Sequence, residues 1–380
     1  MKKYRPLICI CILSSMLMAA LALSPGIKML MNTYRVDNAA ATLTITLPYL
    51  VSIPFTVLTG RLTYYFSKKK LSLTGTAIII ITGLLPCWIH NFSYILIVRS
   101  LMGIGLGLLF TLAPSLAADY YPEGPLRNLA IGMQSAWAGS GGFVFNILSG
   151  YLVEIKTNYI FLVYSICILF FFFILIFLPE KPATQPEQEH MGKSHIQPYG
   201  LLTSILTFLF ISAGMTLSLN IALYLSEIQT GTAVEAGYAT SAYSFAAFGI
   251  GCCYVFLSRF LKKYSIYFAC FVSITGIFLC ITANLLFIYI GSAFIGAGLS
   301  IFMPSCVHQI IKTVPSSSIS ANISIMMVGS SAGQTFSGLY INFFASIVSE
   351  NISMRFYISA VIFLITGLLY FLYNLQQKST

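Results

Sequence analysis

The sequence predicts an all-α polytopic membrane protein with about twelve transmembrane helices, arranged as two related bundles of six. The chain is 58% hydrophobic and 8% charged, whereas a soluble domain carries about 25% charged residues. Apolar runs long enough for a span of ~20 residues recur from one end of the chain to the other. Because a bilayer offers no water to backbone groups, these runs are predicted to be helices.

Read in order, the apolar runs give twelve spans. The first follows Met1-Lys2-Lys3, and Ala20-Leu21-Ala22 is similar to a signal-peptide cleavage site. We expect this run to be retained, because it continues to about Met31 and its removal would leave an odd number of spans. The predicted spans are 7–29, 40–60, 71–89, 94–118, 128–150, 158–178, 200–226, 236–257, 265–286, 288–310, 319–345 and 356–374.

The basic residues are distributed unequally between the two sides of these spans. Of the 20 lysines and arginines, 15 lie at the termini and in the even-numbered gaps, four lie in the other gaps, and Arg99 lies within a span. The basic-rich side is predicted to be cytoplasmic, which places both termini inside the cell membrane. Basic loops beside anionic lipid account for the net charge of +10, and no loop is long enough for a nucleic-acid-binding face.

The chain divides at its longest polar stretch. Residues 181–199 are predicted to be a cytoplasmic linker between an N-terminal bundle, 1–180, and a C-terminal bundle, 200–380. The glycine pair of Gly105 and Gly107 is echoed 191 residues later by Gly296 and Gly298. Parallel repeats of six spans are a known plan among transporters.

Three further segments carry a family resemblance. The loop Gly60–Lys70 is similar to the pattern G-x-L-A-D-R-x-G-R-K-x, with departures at 64, 65 and 67. Arg99 and Gly103 are similar to R-x-x-x-G, and Gly132, Gly141 and Gly150 to a glycine-rich antiporter pattern. On these motifs the whole chain resembles the major facilitator superfamily (MFS). The resemblance implies a gating loop of Gly60, Arg61, Lys68, Lys69, Asp119 and Arg127, in which Asp119 pairs with Arg61 or Lys68.

The resemblance also implies a central cavity lined by the first, fourth, seventh and tenth spans and flanked by the second, fifth, eighth and eleventh. Arg99 is the one charge well inside a span, so it either binds an anionic group or joins proton coupling; alternatively it snorkels and supports packing. The candidates for substrate binding and coupling are Arg99, Gln134, Trp137, Asn220, Tyr224, Gln334 and Asp37. For the amides, interhelical hydrogen bonding is the alternative.

No carboxylate lies at mid-membrane, which disfavours a dedicated exporter of organic cations. Asp37, at the mouth of the first span, is then the best protonation candidate, with loop solvation as the alternative. The nine cysteines all fall within spans, and none has zinc-ligand spacing. We therefore expect no disulfide, metal or other cofactor.

These features favour a monomeric secondary transporter in the lipid bilayer that moves a small organic solute by alternating access, with protons as a candidate coupling ion. We expect export of a drug-like or weakly anionic metabolite. Uptake of a small organic anion, or a non-transporting sensor or scaffold, remains the alternative. An enzyme is not expected, because no cluster of histidine, aspartate or serine lies at one depth.

Overall fold

The described part of the chain is helical, and it contains no strand. The computed structural model describes residues 5–63, 65–88, 90–121, 125–180, 197–261, 264–315, 318–349 and 351–379. The helices are α1 (Arg5–Tyr34), α2 (Asn38–Leu62), α3 (Lys68–Trp88), α4 (Phe92–Tyr120), α5 (Pro125–Ile155), α6 (Thr157–Phe177), α7 (Pro198–Glu227), α8 (Ala233–Leu261), α9 (Ser265–Ile281), α10 (Leu285–Thr313), α11 (Ile319–Val348) and α12 (Ile352–Ser379).

The predicted all-α membrane fold is confirmed. Among the described residues, eight of the helices are long and apolar enough to cross a membrane. Helices α1–α6 precede the predicted linker, most of which (181–196) lies outside the described residues, and α7–α12 follow it. We call these sets the N-terminal half and the C-terminal half. The end of the molecule that carries the α2–α3 loop is called the linker side, and the opposite end is called the far side.

Two of the helices change their winding along their length. Residues Met16–Gly26 of α1 form a 3-10 segment that contains Pro25, and α6 begins with a 3-10 segment at Thr157–Ser165. A 3-10 helix is wound more tightly and its hydrogen bonds have poorer geometry than those of an α-helix. Its carbonyl oxygens are therefore well placed to accept from side chains of neighbouring helices.

Each half has its own apolar core. One cluster of buried side chains is built mainly by α1–α6, and a second is built by α7–α12. One face of α7, with Ile211, Met215 and Leu219, packs on the first cluster instead. Helix α7 therefore lies where the two halves meet.

Close glycine contacts reveal the internal repeat, but with a different register from the predicted one. A Cβ on Gly103 would lie 2.3 Å from a carbonyl oxygen of α2, and one on Gly105 would lie 2.6 Å from a carbonyl oxygen of α3. In the C-terminal half, Gly296 approaches α8 and Gly298 approaches α9 in the same way. Because α2 and α3 correspond to α8 and α9, Gly103 and Gly105 are the counterparts of Gly296 and Gly298. The predicted pairing of Gly105 with Gly296 is wrong by two residues.

Candidate functional site

The Arg99 side chain is fully buried inside the N-terminal half and is bonded on several sides. Its Nε donates to the Thr44 carbonyl oxygen at 2.9 Å, and Nη2 donates to the Ala20 carbonyl oxygen at 3.1 Å. Nη1 donates to the Tyr164 hydroxyl at 2.7 Å and contacts Met102 Sδ at 2.9 Å. These partners lie on α1, α2, α4 and α6, so Arg99 ties four helices together.

The acceptors of Arg99 follow from the local backbone. Pro48 lies four residues after Thr44 within α2, and proline has no N–H to donate to the i−4 carbonyl. The Thr44 carbonyl is consequently free to accept from Arg99. The Ala20 carbonyl belongs to the 3-10 segment of α1, as does the Ala19 carbonyl, which accepts from the Tyr164 hydroxyl at 2.7 Å.

The positive charge of Arg99 has no counter-charge nearby. Within the described part of the chain, no carboxylate lies within ion-pair distance of its guanidinium. Tyr49 of α2 is within electrostatic range of Arg99, as is Tyr243 of α8 from Tyr49. The Tyr49 side chain is fully buried, and its hydroxyl has no hydrogen-bond partner among the described residues. A buried cation and an unpartnered hydroxyl therefore lie together beside the boundary between the halves.

Gln134 and Trp137 lie on α5, and both are half-buried. Trp137 packs edge-to-face on Phe248 of α8, with ring centroids 5.9 Å apart and an interplanar angle of 84°. This contact joins the two halves. The Trp137 Nε1 is buried and has no partner among the described residues.

Asn220 and Tyr224 share a face of α7, as predicted from their spacing, but that face packs inside the C-terminal half. Asn220 Oδ1 accepts from Arg355 Nη1 of α12 at 2.6 Å, and the Tyr224 hydroxyl donates to the Ile281 carbonyl at 3.0 Å. Tyr224 also contacts the ring of Phe356 on α12, with centroids 5.2 Å apart. The structure therefore places these two candidates away from the boundary between the halves.

Gln334 and Asp37 make local contacts. Gln334 Nε2 donates to the Ser330 hydroxyl at 3.4 Å, one turn earlier on α11. Asp37 is exposed, and its carboxylate accepts from the Ala40 N–H at 2.9 Å, which makes Asp37 the N-cap of α2. An N-cap carboxylate satisfies an orphan N–H and interacts favourably with the helix dipole.

The gating loop is held together at the linker side. Lys68 Nζ lies 2.6 Å from Asp119 Oδ2 and donates to the Ser115 hydroxyl at 2.6 Å. Of the two partners expected for Asp119, the structure thus pairs it with Lys68. Arg61 is exposed near the end of α2.

The other residues of the predicted loop contribute less to this contact. Gly60 is exposed and Lys69 is half-buried. Arg127 lies in the first turn of α5, and its side chain lies outside the described part of the structure. Ser67, the N-cap of α3, donates to Glu180 Oε1 at 3.1 Å, so the loop is also joined to the end of α6.

The two halves are joined by polar contacts toward the far side. Ser24 of α1 donates to the Ser218 carbonyl, and Lys28 donates to the Ser226 hydroxyl, both on α7. Where α5 meets α8, the Val234 N–H donates to Glu154 Oε1 at 3.4 Å. In the described residues these bonds close the far side of the boundary.

The start of α8 at this closure carries a second acidic group. Thr232 donates to Glu235 Oε2 from its N–H at 2.7 Å and from its hydroxyl at 2.6 Å. These hydrogen bonds lower the pKa of Glu235, because they stabilise the ionised carboxylate. The pair is a capping box that fixes the first turn of α8.

Four residues that the sequence reasoning did not single out take part in these sites. Proline within a helix was a usable signal for the free Thr44 carbonyl. Nothing in the spacing pointed to Tyr49, Tyr164, Lys28 or Arg355, because a tyrosine or an outer lysine is common in membrane helices. Lys28 and Arg355 were expected in solvated gaps, whereas both bond across helices.

Comparison with known proteins identifies the family. The family model for the Major Facilitator Superfamily matches residues 8–281 and 201–379. The chain therefore belongs to the major facilitator superfamily, and it is a multi-pass membrane transporter of this family. The predicted resemblance is confirmed.

The chain is also similar to particular relatives. Over 107 residues it is 27% identical to the "Uncharacterized MFS-type transporter EfpA" of Mycobacterium tuberculosis, covering 28% of this chain. The chain spans 20% of the length of that relative. Sequence similarity of this extent carries no substrate or direction to this chain.

Solved structures match over nearly the whole chain. A bacterial homologue of the human lysosomal transporter Spinster, inward-facing and unoccupied, has a TM-score of 0.77 at 14% identity, covering 98% of this chain and 96% of its own. The nucleoside transporter NupG has 0.79 at 12%, with coverages of 98% and 99%. The D-xylose–proton symporter has 0.73 at 15%, with coverages of 97% and 97%. At these identities the likeness concerns the fold.

Proposed function

We propose that this chain is a secondary transporter that exports a small drug-like or weakly anionic molecule by alternating access. Residues 1–180 and 200–380 would rock against each other about the boundary where Arg99 and Tyr49 lie, with 181–199 as the connecting linker. The linker side would be cytoplasmic, and the described contacts would represent a state closed on the outer side.

The observation that carries the proposal is the unpaired charge of Arg99 beside the unpartnered Tyr49 hydroxyl. A fully buried cation with no carboxylate nearby favours a negative or hydrogen-bond-accepting ligand group. A buried hydroxyl without a partner is costly unless something binds it. Both features are satisfied by one acceptor-bearing ligand, and neither requires a resident cofactor.

The experiment is flux into proteoliposomes with a panel of organic acids and amphipathic drugs, read against Tyr49→Phe and Tyr164→Phe. Tyr49→Phe removes a hydroxyl that bonds no described residue, so it should leave the melting temperature unchanged and raise the apparent KM about 5–10-fold, the equivalent of one hydrogen bond. Tyr164→Phe removes two structural bonds and should lower the melting temperature. Unchanged KM in Tyr49→Phe would remove the ligand role.

Uptake of a small organic anion is the second candidate, because the same charge of Arg99 would neutralise an entering anion. Direction is decided by loading the vesicles from one side with an imposed pH gradient. A non-transporting sensor was suggested by the altered loop motif, but the pairing of Lys68 with Asp119 preserves the loop contact. Saturable ligand binding without flux for any member of the panel would favour the sensor.

Proton coupling is proposed through Asp37. If protons drive transport, Asp37→Asn should change the dependence of flux on external pH. Gln134→Ala should change apparent affinity instead, since an amide does not titrate. A flat pH profile in the unmodified protein would argue against proton coupling.

The orientation and location are proposed from the charge distribution. Both termini would lie in the cytoplasm of a cell-membrane protein that acts as a monomer. Reporter fusions at Gln188 and Thr380 should read as cytoplasmic, and a fusion at Asn38 should read as external. An external signal from Gln188 would contradict the two-half arrangement.

A further inference from the structure

A second cavity, separate from the surroundings of Arg99, lies where α5 meets α8. Its volume is about 300 Å³, at the lower end of the ~300–1,000 Å³ that small-molecule pockets occupy. We call it the aromatic crevice, because six aromatic side chains line it. These are Trp137, Phe143, Phe145, Phe170, Phe245 and Phe248.

The aromatic crevice opens toward the membrane. Val144 lines it and is 42% exposed, and Phe245 lines it and is 60% exposed. Exposed apolar side chains of membrane-spanning helices contact lipid. The floor is closed, because Gly141 of α5 packs directly on the Ser15 carbonyl of α1 and leaves no room there for a Cβ. A ligand would therefore enter sideways from the bilayer.

One polar group in this apolar space lacks a partner. Trp137 lines the aromatic crevice, and its Nε1 is buried without a hydrogen-bond partner among the described residues. Indole N–H is a donor only, and buried indoles usually find an acceptor. A lipid acyl chain fills apolar space but accepts no hydrogen bond, so lipid would leave this donor unsatisfied.

We propose that the aromatic crevice binds a small aromatic molecule that carries a hydrogen-bond acceptor, and that the molecule reaches it from the bilayer. The ring stacks among the phenylalanines, and the acceptor takes the N–H of Trp137. This deepens the proposed export of a drug-like molecule by naming the substrate class and its route, and it rests on that proposal.

The walls of the aromatic crevice come from both halves. Trp137 belongs to α5, whereas Phe245 and Phe248 belong to α8. Any movement of one half against the other changes the spacing of these walls. The bound ligand is thus sensitive to the rocking of the halves, which is the property a transported molecule requires.

The test uses the two tryptophans of the chain. Trp88 is 68% exposed at the end of α3, so Trp88→Phe leaves Trp137 as the sole fluorescent reporter. The variant in lipid vesicles is titrated with 2-acetonaphthone, which carries a ketone acceptor, and with 2-ethylnaphthalene, which has a similar shape and no acceptor. We expect saturable quenching by the ketone with roughly fivefold higher affinity, the equivalent of one hydrogen bond of about 1 kcal/mol.

A blocking variant and its control are placed on the same face of α5. Val144→Phe narrows the aromatic crevice and should weaken ketone binding at least tenfold. Leu148→Phe lies one turn away, is 37% exposed, and does not line the cavity, so binding should be unchanged. Melting temperatures confirm that both variants fold.

Three results would overturn this inference: quenching that rises linearly with either compound, equal affinity for the two compounds, or ketone binding that survives Val144→Phe. Equal affinity would indicate a space for lipid chains. The failure of the proposed function reads differently, because it is measured as flux. Ketone binding without flux overturns export and leaves the aromatic crevice in place, whereas flux without ketone binding does the reverse.

Discussion

Replacement of Arg99 by lysine should destabilise the protein although it keeps the charge. The guanidinium donates from three nitrogens that diverge toward α1, α2 and α6, and an ammonium donates from a single point. Lysine can keep the partners nearest one position and must abandon others. We expect it to lose the bonds to the Thr44 and Ala20 carbonyls, which accept from different nitrogens at 2.9 Å and 3.1 Å.

The magnitude follows from the type of bond. A hydrogen bond to a charged group contributes ~1.5–3 kcal/mol, so the loss of two such bonds costs about 3–6 kcal/mol. Breaking a buried charge network costs a similar ~3–5 kcal/mol. The Thr44 carbonyl has no substitute donor, because Pro48 cannot supply one.

The assay is thermal unfolding of the purified protein in detergent, with Arg61→Lys as the control. Arg61 is exposed near the end of α2, so its replacement should leave the melting temperature unchanged. At ~2 °C per kcal/mol for a chain of this size, Arg99→Lys should lower it by roughly 6–12 °C. A melting temperature equal to that of the unmodified protein would refute the bonding scheme derived for Arg99.

Three further predictions test other contacts. Lys68→Ala should lower the stability of the gating loop by about 1–2 kcal/mol, as measured by thermal unfolding, and Asp119→Asn, which keeps an acceptor, should cost less. Gly141→Ala should abolish the folded form on size-exclusion chromatography, because its Cβ has no room, whereas Gly249→Ala should be tolerated since nothing lies within 4 Å of that Cβ. The lowered pKa of Glu235 stabilises the fold above pH 4.5, and this contribution is lost as the pH falls through the folded pKa. The difference in melting temperature between the unmodified protein and Glu235→Gln should therefore vanish in acid.

Much of the fold could be predicted from the sequence, because a bilayer leaves few choices. Apolar runs must be helices, and the basic loops divide the helices into two sets of six. The winding within a helix was less accessible: the 3-10 segment of α1 depends on contacts with α5 and α6 that are distant in sequence. The register of the repeat was also misread, since glycines recur every two or three residues in both halves.

The candidate site was predictable in composition and less so in orientation. Spacing showed that Asn220 and Tyr224 share a face of α7, but periodicity does not say which neighbour that face meets. The structure turns it toward α12. For Arg99, its isolation within a span was visible, whereas the partner Tyr164 lies 65 residues away and carries no signal of its own.

The seam between α5 and α8 contrasts with the interior of each half, and the contrast bears on how the halves would move. Along the seam, glycines lie against the opposite backbone: Gly150 approaches the Ala233 carbonyl, and Gly237 approaches the Asn146 carbonyl. Small residues allow helices to approach closely without interlocking side chains. Inside the N-terminal half, by contrast, the bonds of Arg99 join four helices directionally. Sliding along the seam therefore breaks few directional contacts, whereas bending a half would break many. The proposed rocking of two stiff halves is the motion that this distribution of contacts favours, and the aromatic crevice lies on the surface along which it would occur.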